Sequence, residues 1–145
     1  MRTRRIPVEA DAVIARLELV RHPEGGWYRE TFRDAPADGS RGYLAHILYL
    51  LKSGERSRWH RIDAIEIWHY SLGAPLALRI AMAGEPVRHL ILGGDPLGDE
   101  LPHAVVPAGA WQSAQSLGAF TLLGCSTAPA FSFEGFELAA EGWEP

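Results

Sequence analysis

Residues 54–73 read GERSRWHRIDAIEIWHYSLG. Two histidines, His60 and His69, and two acids, Asp63 and Glu66, stand there among large apolar residues. From Ile65 to Tyr70 the residues alternate as they would on a β-strand. Glu66, Trp68 and Tyr70 share one face, and Ile65, Ile67 and His69 share the other. Glu66 and His69 therefore point to opposite sides, while His60 shares a side with Ile62. A carboxylate flanked along its face by Trp68 and Tyr70 suits a polar point in an aromatic cavity.

The same alternation extends outward. Leu76, Leu78 and Ile80 share a face against Ala77 and Arg79. Short apolar runs cover Tyr43–Leu51, Ile65–Leu72, Leu76–Met82, Val87–Leu92, Ala104–Val106 and Phe120–Cys125. Glycine-rich breaks separate them, at Asp38-Gly39, Ser53-Gly54, Gly73, Gly84, Gly93-Gly94, Gly98 and Gly109. Many short strands with frequent turn signals predict an all-β sandwich or barrel. One helix is expected within residues 7–21, from Val13, Leu17 and Val20 at helical spacing. It should end before Pro23 and Gly25-Gly26. No repeat, linker or domain boundary interrupts the chain, and 145 residues suit a single domain, 1–145.

Composition narrows the functional classes. The formal net charge is −4, from 14 basic and 18 acidic residues, which disfavours nucleic-acid binding. Arg2, Arg4 and Arg5 read as a solvated tail. The single cysteine, Cys125, allows no intrachain disulfide or multi-cysteine zinc site, and reads as a packed core thiol. No run of about 18 apolar residues could span a membrane, and no secretory signal is visible. The expected compartment is the cytoplasm.

These residues carry a family resemblance. The first cupin motif is Gly, five residues, His-x-His, three or four residues, Glu, six residues, Gly. Gly54, His60, Glu66 and Gly73 fit it, with Ile62 at the second His position. The second motif, Pro-x-Gly, two residues, His, three residues, Asn, fits Pro107 and Gly109. There Gln112 stands at the His position and Ser116 at the Asn position. The blocks HPEGGWYRETFR, SRWHRIDAIEIWHY, VPAGAWQSA and LLGCSTAPAFSFEGFEL resemble cupin family five, a domain of unknown function. That resemblance spans roughly residues 11–140. It implies a cupin double-stranded β-helix, or jelly-roll barrel, with a short N-terminal helix, paired into homodimers. The fold is similar to that of sugar-nucleotide epimerases.

The resemblance implies three functions. In the first, the protein is a metal-independent sugar isomerase- or epimerase-like enzyme. His60 is the base, Glu66 its orienting partner, and Tyr49 or Tyr70 the acid. Glu66 in an apolar barrel should have a raised pKa, and so could itself be the titrating group. In the second, the protein is a metal-dependent oxygenase or isomerase. The retained ligands are His60 and Glu66, with Gln112 as a poor third, and Ile62 contributes none. In the third, it is a non-catalytic binding protein. Trp68, Tyr70 and Trp111 then give stacking surface, and His60, Glu66 and Gln112 give orientation. Fold alone does not choose among them. No cofactor is expected, a divalent metal being the alternative. The expected partner is a small-molecule ligand such as a sugar or nucleotide. A nucleotide would need buried arginines, for which Arg58, Arg61 and Arg79 are candidates.

Other residues carry readings of their own. His22 reads as a turn residue, His46 faces either the barrel or a dimer partner, and His89 and His103 read as solvent-facing. Parity on WYRETF puts Trp27, Arg29 and Thr31 on one face and Tyr28, Glu30 and Phe32 on the other. Arg29 is either an anion contact or part of a salt-bridged rim. FSFEGFEL reads as an edge or dimer-crossing strand.

Overall fold

The computed structural model describes residues 8–145, so Arg2, Arg4, Arg5 and Pro7 lie outside the described residues. The chain starts with α1 (Ala10–Leu17) and continues in strands. These are β1 (Val20–Arg21), β2 (Trp27–Arg33), β3 (Ala45–Lys52), β4 (Arg56–Ile62), β5 (Ile65–Gly73) and β6 (Leu76–Ala81). Beyond them lie β7 (Arg88–Leu92), β8 (His103–Val106), β9 (Trp111–Ser116), β10 (Phe120–Ala128) and β11 (Phe136–Leu138). They form two antiparallel sheets, ordered β1-β2-β3-β10-β5-β8 and β11-β4-β9-β6-β7. This is the expected all-β jelly roll, and each apolar run of the sequence supplies a strand.

Alternation places the core between the sheets. Leu76, Leu78 and Ile80 of β6 face Tyr49, Trp68 and Leu123 of the opposite sheet, all essentially solvent-free. Each such side chain contributes on the order of 2 kcal/mol by leaving water. A second cluster covers the outer face of the six-stranded sheet, where Val13 of α1 meets Leu50, Phe120 and Leu122. The helix is shorter than expected. Glu18 turns left-handed (φ 56°), and its N–H and that of Leu19 close on Ala15 O and Ile14 O. Leu19 then buries its side chain, and Val20-Arg21 pair with β2 instead of extending the helix.

Two local irregularities shape the cavity. The register of β2 on β3 shifts between Glu30 and Phe32, so that Thr31 has no partner. A bulge of this kind re-aims the side chains beyond it. Simple parity puts Phe32 beside Tyr28 and Glu30; instead Arg33 joins them on the inner face and Phe32 turns out, 53% exposed. The segment FSFEGFEL is not one strand. Ser132 Oγ accepts from Glu134 N and caps a 3₁₀ turn at Phe133–Gly135. Only Phe136–Leu138 pairs, as the edge strand beside β4.

Candidate functional site

The site starts with a turn. Between β1 and β2 the backbone folds back through His22 N to Gly26 O and Gly25 N to His22 O, each 3.0 Å. Gly25 and Gly26 take φ of 107° and 78°, where a side chain is strained. Arg58 N donates to Glu24 O at 2.8 Å, fastening the turn onto β4. The Glu24 side chain is thereby pushed inside, 5% exposed, against His60.

His60 Nε2 lies 2.8 Å from Glu24 Oε2, and its Nδ1 lies 2.7 Å from Arg58 O. Burial alone would push the imidazole pKa down. The charge and hydrogen bond of Glu24, together with the Glu66 charge and the Arg58 carbonyl, override burial and lift the value to about 9. His60 is thus an imidazolium with both N–H groups engaged. Burial also pushes the Glu24 carboxyl up, but the His60 charge and hydrogen bond hold it below the usual range. The carboxylate bonded to His60 is thus Glu24, where the sequence pointed to Glu66.

Glu66 projects from β5 into the same cavity. Burial pushes its carboxyl up to about 7, against the pull of His60 and the Gln112 and Trp68 side chains. Behind it, Trp68 Nε1 donates to Gln112 Oε1 at 2.8 Å, while Gln112 Nε2 has no hydrogen-bond partner among the described residues.

The cavity has a volume of about 240 Å³. Its aromatic wall is Tyr28, Phe131, Phe133 and Phe136, and its polar floor is His22, Glu24, His60 and Glu66. Glu30 and Arg33 line it from β2, joined by two hydrogen bonds of 2.8 Å, and Arg33 also donates to Phe131 O. His22 is a turn residue as expected, and also lines the cavity; burial lowers its pKa, and its Nδ1 accepts from Glu24 N.

Of the residues expected to be catalytic or ligand-binding, His60 and Glu66 meet here; Tyr49, Tyr70, Arg58, Trp68, Trp111 and Gln112 stand apart from the cavity lining. Tyr49 is fully buried and its hydroxyl donates to Gly25 O. Tyr70 donates to Gly73 O at 2.6 Å. Trp68 and Gln112 form the layer behind Glu66. Arg58 donates to Ala139 O, and Trp111 packs on Trp143 beneath the Arg61 guanidinium on the outside. Arg61 pairs with Glu137, and Arg79 lies over Trp59. Arg29 pairs with Glu18 on the surface. His46 leans over Gly124 and bonds Ser126 Oγ, outside the barrel, and His69, His89 and His103 are exposed.

Sequence reading missed Glu24, Tyr28, Arg33 and Phe136 as cavity residues. Glu24 left one signal, an acid directly before the Gly25-Gly26 pair.

The cupin metal positions correspond here to His60, Ile62, Glu66 and Gln112. Ile62 offers no donor, both His60 nitrogens are engaged, and the Gln112 oxygen faces Trp68. Among the described residues no three His, Cys, Asp or Glu stand together in a metal-holding group. This donor set does not fit a metal. No helix among the described residues is long and apolar enough to cross a membrane.

Comparisons with solved structures agree with the fold. A Shewanella oneidensis protein of known crystal structure is 35% identical, with 92% of this chain and 86% of that chain covered at a TM-score of 0.87. A hypothetical protein from Leishmania major is 27% identical over 92% and 88%, at 0.83. Oxalate decarboxylase from Bacillus subtilis shares the fold at 19% identity, over 81% of this chain and 29% of that one, at 0.65. No curated protein matches the sequence. The family model for the cupin superfamily (DUF985) matches residues 11–139, and the chain belongs to that family.

Proposed function

We propose that the barrel cavity binds a small molecule and moves a proton on it, with Glu66 as the acid/base group. The observation that carries this is a buried carboxyl, lining a cavity, whose pKa lies near 7. A group poised at working pH can both take and give a proton. His60 is the weaker candidate for the base, because its two nitrogens are committed to Glu24 and Arg58 O. Its role is to hold a fixed positive charge beside Glu66. Tyr28 is the tyrosine in the cavity wall, and it replaces Tyr49 and Tyr70 as the candidate acid.

This keeps the isomerase-like reading and changes its roles. A nucleotide substrate gains no support, since Arg58, Arg61 and Arg79 are occupied elsewhere. The test is deuterium exchange from solvent into a panel of keto-sugars and related carbonyl compounds, followed by NMR. Glu66→Gln should slow exchange by about 10²–10⁴, and the rate should titrate near neutral pH. Absence of exchange across the panel, or full activity in Glu66→Gln, overturns the catalytic part. Saturable binding without exchange would then favour the non-catalytic reading.

A further inference from the structure

The cavity's charges cancel in pairs, with one exception. Glu24 is matched by the His60 imidazolium at 2.8 Å. Glu30 is matched by Arg33 through two hydrogen bonds. His22 is neutral, since burial lowers its pKa and its Nδ1 accepts from Glu24 N. Glu66 has no cation of its own among the described residues, and the Gln112 nitrogen behind it is unpartnered there. No free guanidinium or ammonium of the described residues lines the cavity. An anionic ligand would therefore have to sit beside a buried carboxylate whose one nearby cation, His60, is already committed to Glu24.

The remaining wall is aromatic. Tyr28, Phe131, Phe133 and Phe136 line the cavity, and the three phenyl rings meet at centroid distances of 4.8–6.0 Å. Ring faces carry partial negative charge and attract cations, most strongly where water is excluded. At about 240 Å³ the space is smaller than a drug-sized site, typically ~300–1,000 Å³.

We propose that the cavity selects a compact organic cation, an amine or quaternary ammonium, with Glu66 as its counter-charge and the aromatic wall as its seat. The inference rests on the cavity being the small-molecule site proposed above and names the ligand class for it. A cation beside Glu66 also favours its carboxylate form, the form that accepts a proton. The groups facing Glu66 are His60 from β4, Glu24 from the turn and Cys125 from β10. His60 and Glu24 form a closed pair, and burial raises the Cys125 pKa well above the ordinary thiol value, leaving it neutral.

Calorimetry with choline and its neutral carbon isostere, 3,3-dimethylbutan-1-ol, tests this on the full chain. Choline should bind about tenfold more tightly above neutral pH. That preference should shrink when the pH is lowered enough to protonate Glu66. Glu66→Gln should lose most of that preference, keeping only the share that the aromatic wall supplies. Phe133→Leu, at an exposed mouth position, should weaken choline several-fold with the isostere unchanged, and keeps the test alive if Glu66→Gln misfolds. Equal binding of the pair, tighter binding of acetate or phosphate, or no saturable binding of choline at millimolar concentration overturns the proposal. The two readings fail separately. Exchange lost in Glu66→Gln without a choline preference discards only the cation. A choline preference without exchange discards only the proton transfer.

Discussion

Glu24, on the turn after β1, closes on His60 of β4 with 2.8 Å between Oε2 and Nε2, both side chains buried. The carboxylate is what keeps the imidazole charged, because burial by itself acts the other way. In Glu24→Gln the hydrogen bond can persist but the counter-charge is gone. The His60 titration midpoint, followed by NMR, should fall from about 9 to below the ordinary 6.5. Breaking a buried pair should also reduce stability by about 3 kcal/mol. A midpoint still near 9 would show that Glu24 is not the group responsible.

The position of Glu24 depends on Gly25. A Cβ there would run into Arg56 O, and φ is 107°. Gly25→Ala should therefore lift the turn off β4, at about 2 kcal/mol of stability. The His60 midpoint should drop in the same variant. A lowered melting temperature with an unchanged midpoint would mean that the turn is structural only.

Stability should decline as pH rises from about 5 to 9. Glu66 has a folded pKa raised from 4.5 to about 7. The folded state binds its proton more tightly, so it adds no penalty below 4.5 and a full one above 7. That penalty is on the order of 3 kcal/mol. His60 is raised from 6.5 to about 9, so its contribution is complete below 6.5 and lost through 9. Glu24, held low, contributes above its unfolded value and loses this as the medium becomes acidic. Chemical denaturation across this range should show the decline, and Glu66→Gln should flatten its lower half. A stability maximum at pH 8 in the wild type would contradict the assignment.

How far the sequence reached depends on how each residue is specified. Leu76, Leu78 and Ile80 announce a strand because their alternation is local, and all three are buried. His60 and Glu66 were legible because their spacing repeats a family motif. Glu24 was not, since its meeting with His60 requires the β1–β2 turn to dock on β4, a contact distant in sequence. The exchange of Phe32 for Arg33 was hidden for another reason: one unpaired residue, Thr31, reverses the parity of the residues beyond it. Tyr70 and Trp111 fit the polar-aromatic pattern yet spend their polar or stacking capacity on Gly73 O and Trp143.

The motif positions that depart from the cupin pattern give a sharp test of the metal reading. Ile62 lines the cavity beside His60 and Glu66, and Gln112 stands behind them. Elemental analysis of wild-type protein, purified without chelator or affinity metal, should find well under one equivalent of manganese, iron, nickel or zinc. Ile62→His with Gln112→His restores two imidazoles and should bring uptake of manganese or zinc. Because Glu24 holds His60 Nε2, adding Glu24→Ala, which removes the acceptor, should tighten that uptake further. Stoichiometric metal on the wild type, lost on His60→Ala, would overturn the argument and make a metal the centre of the site.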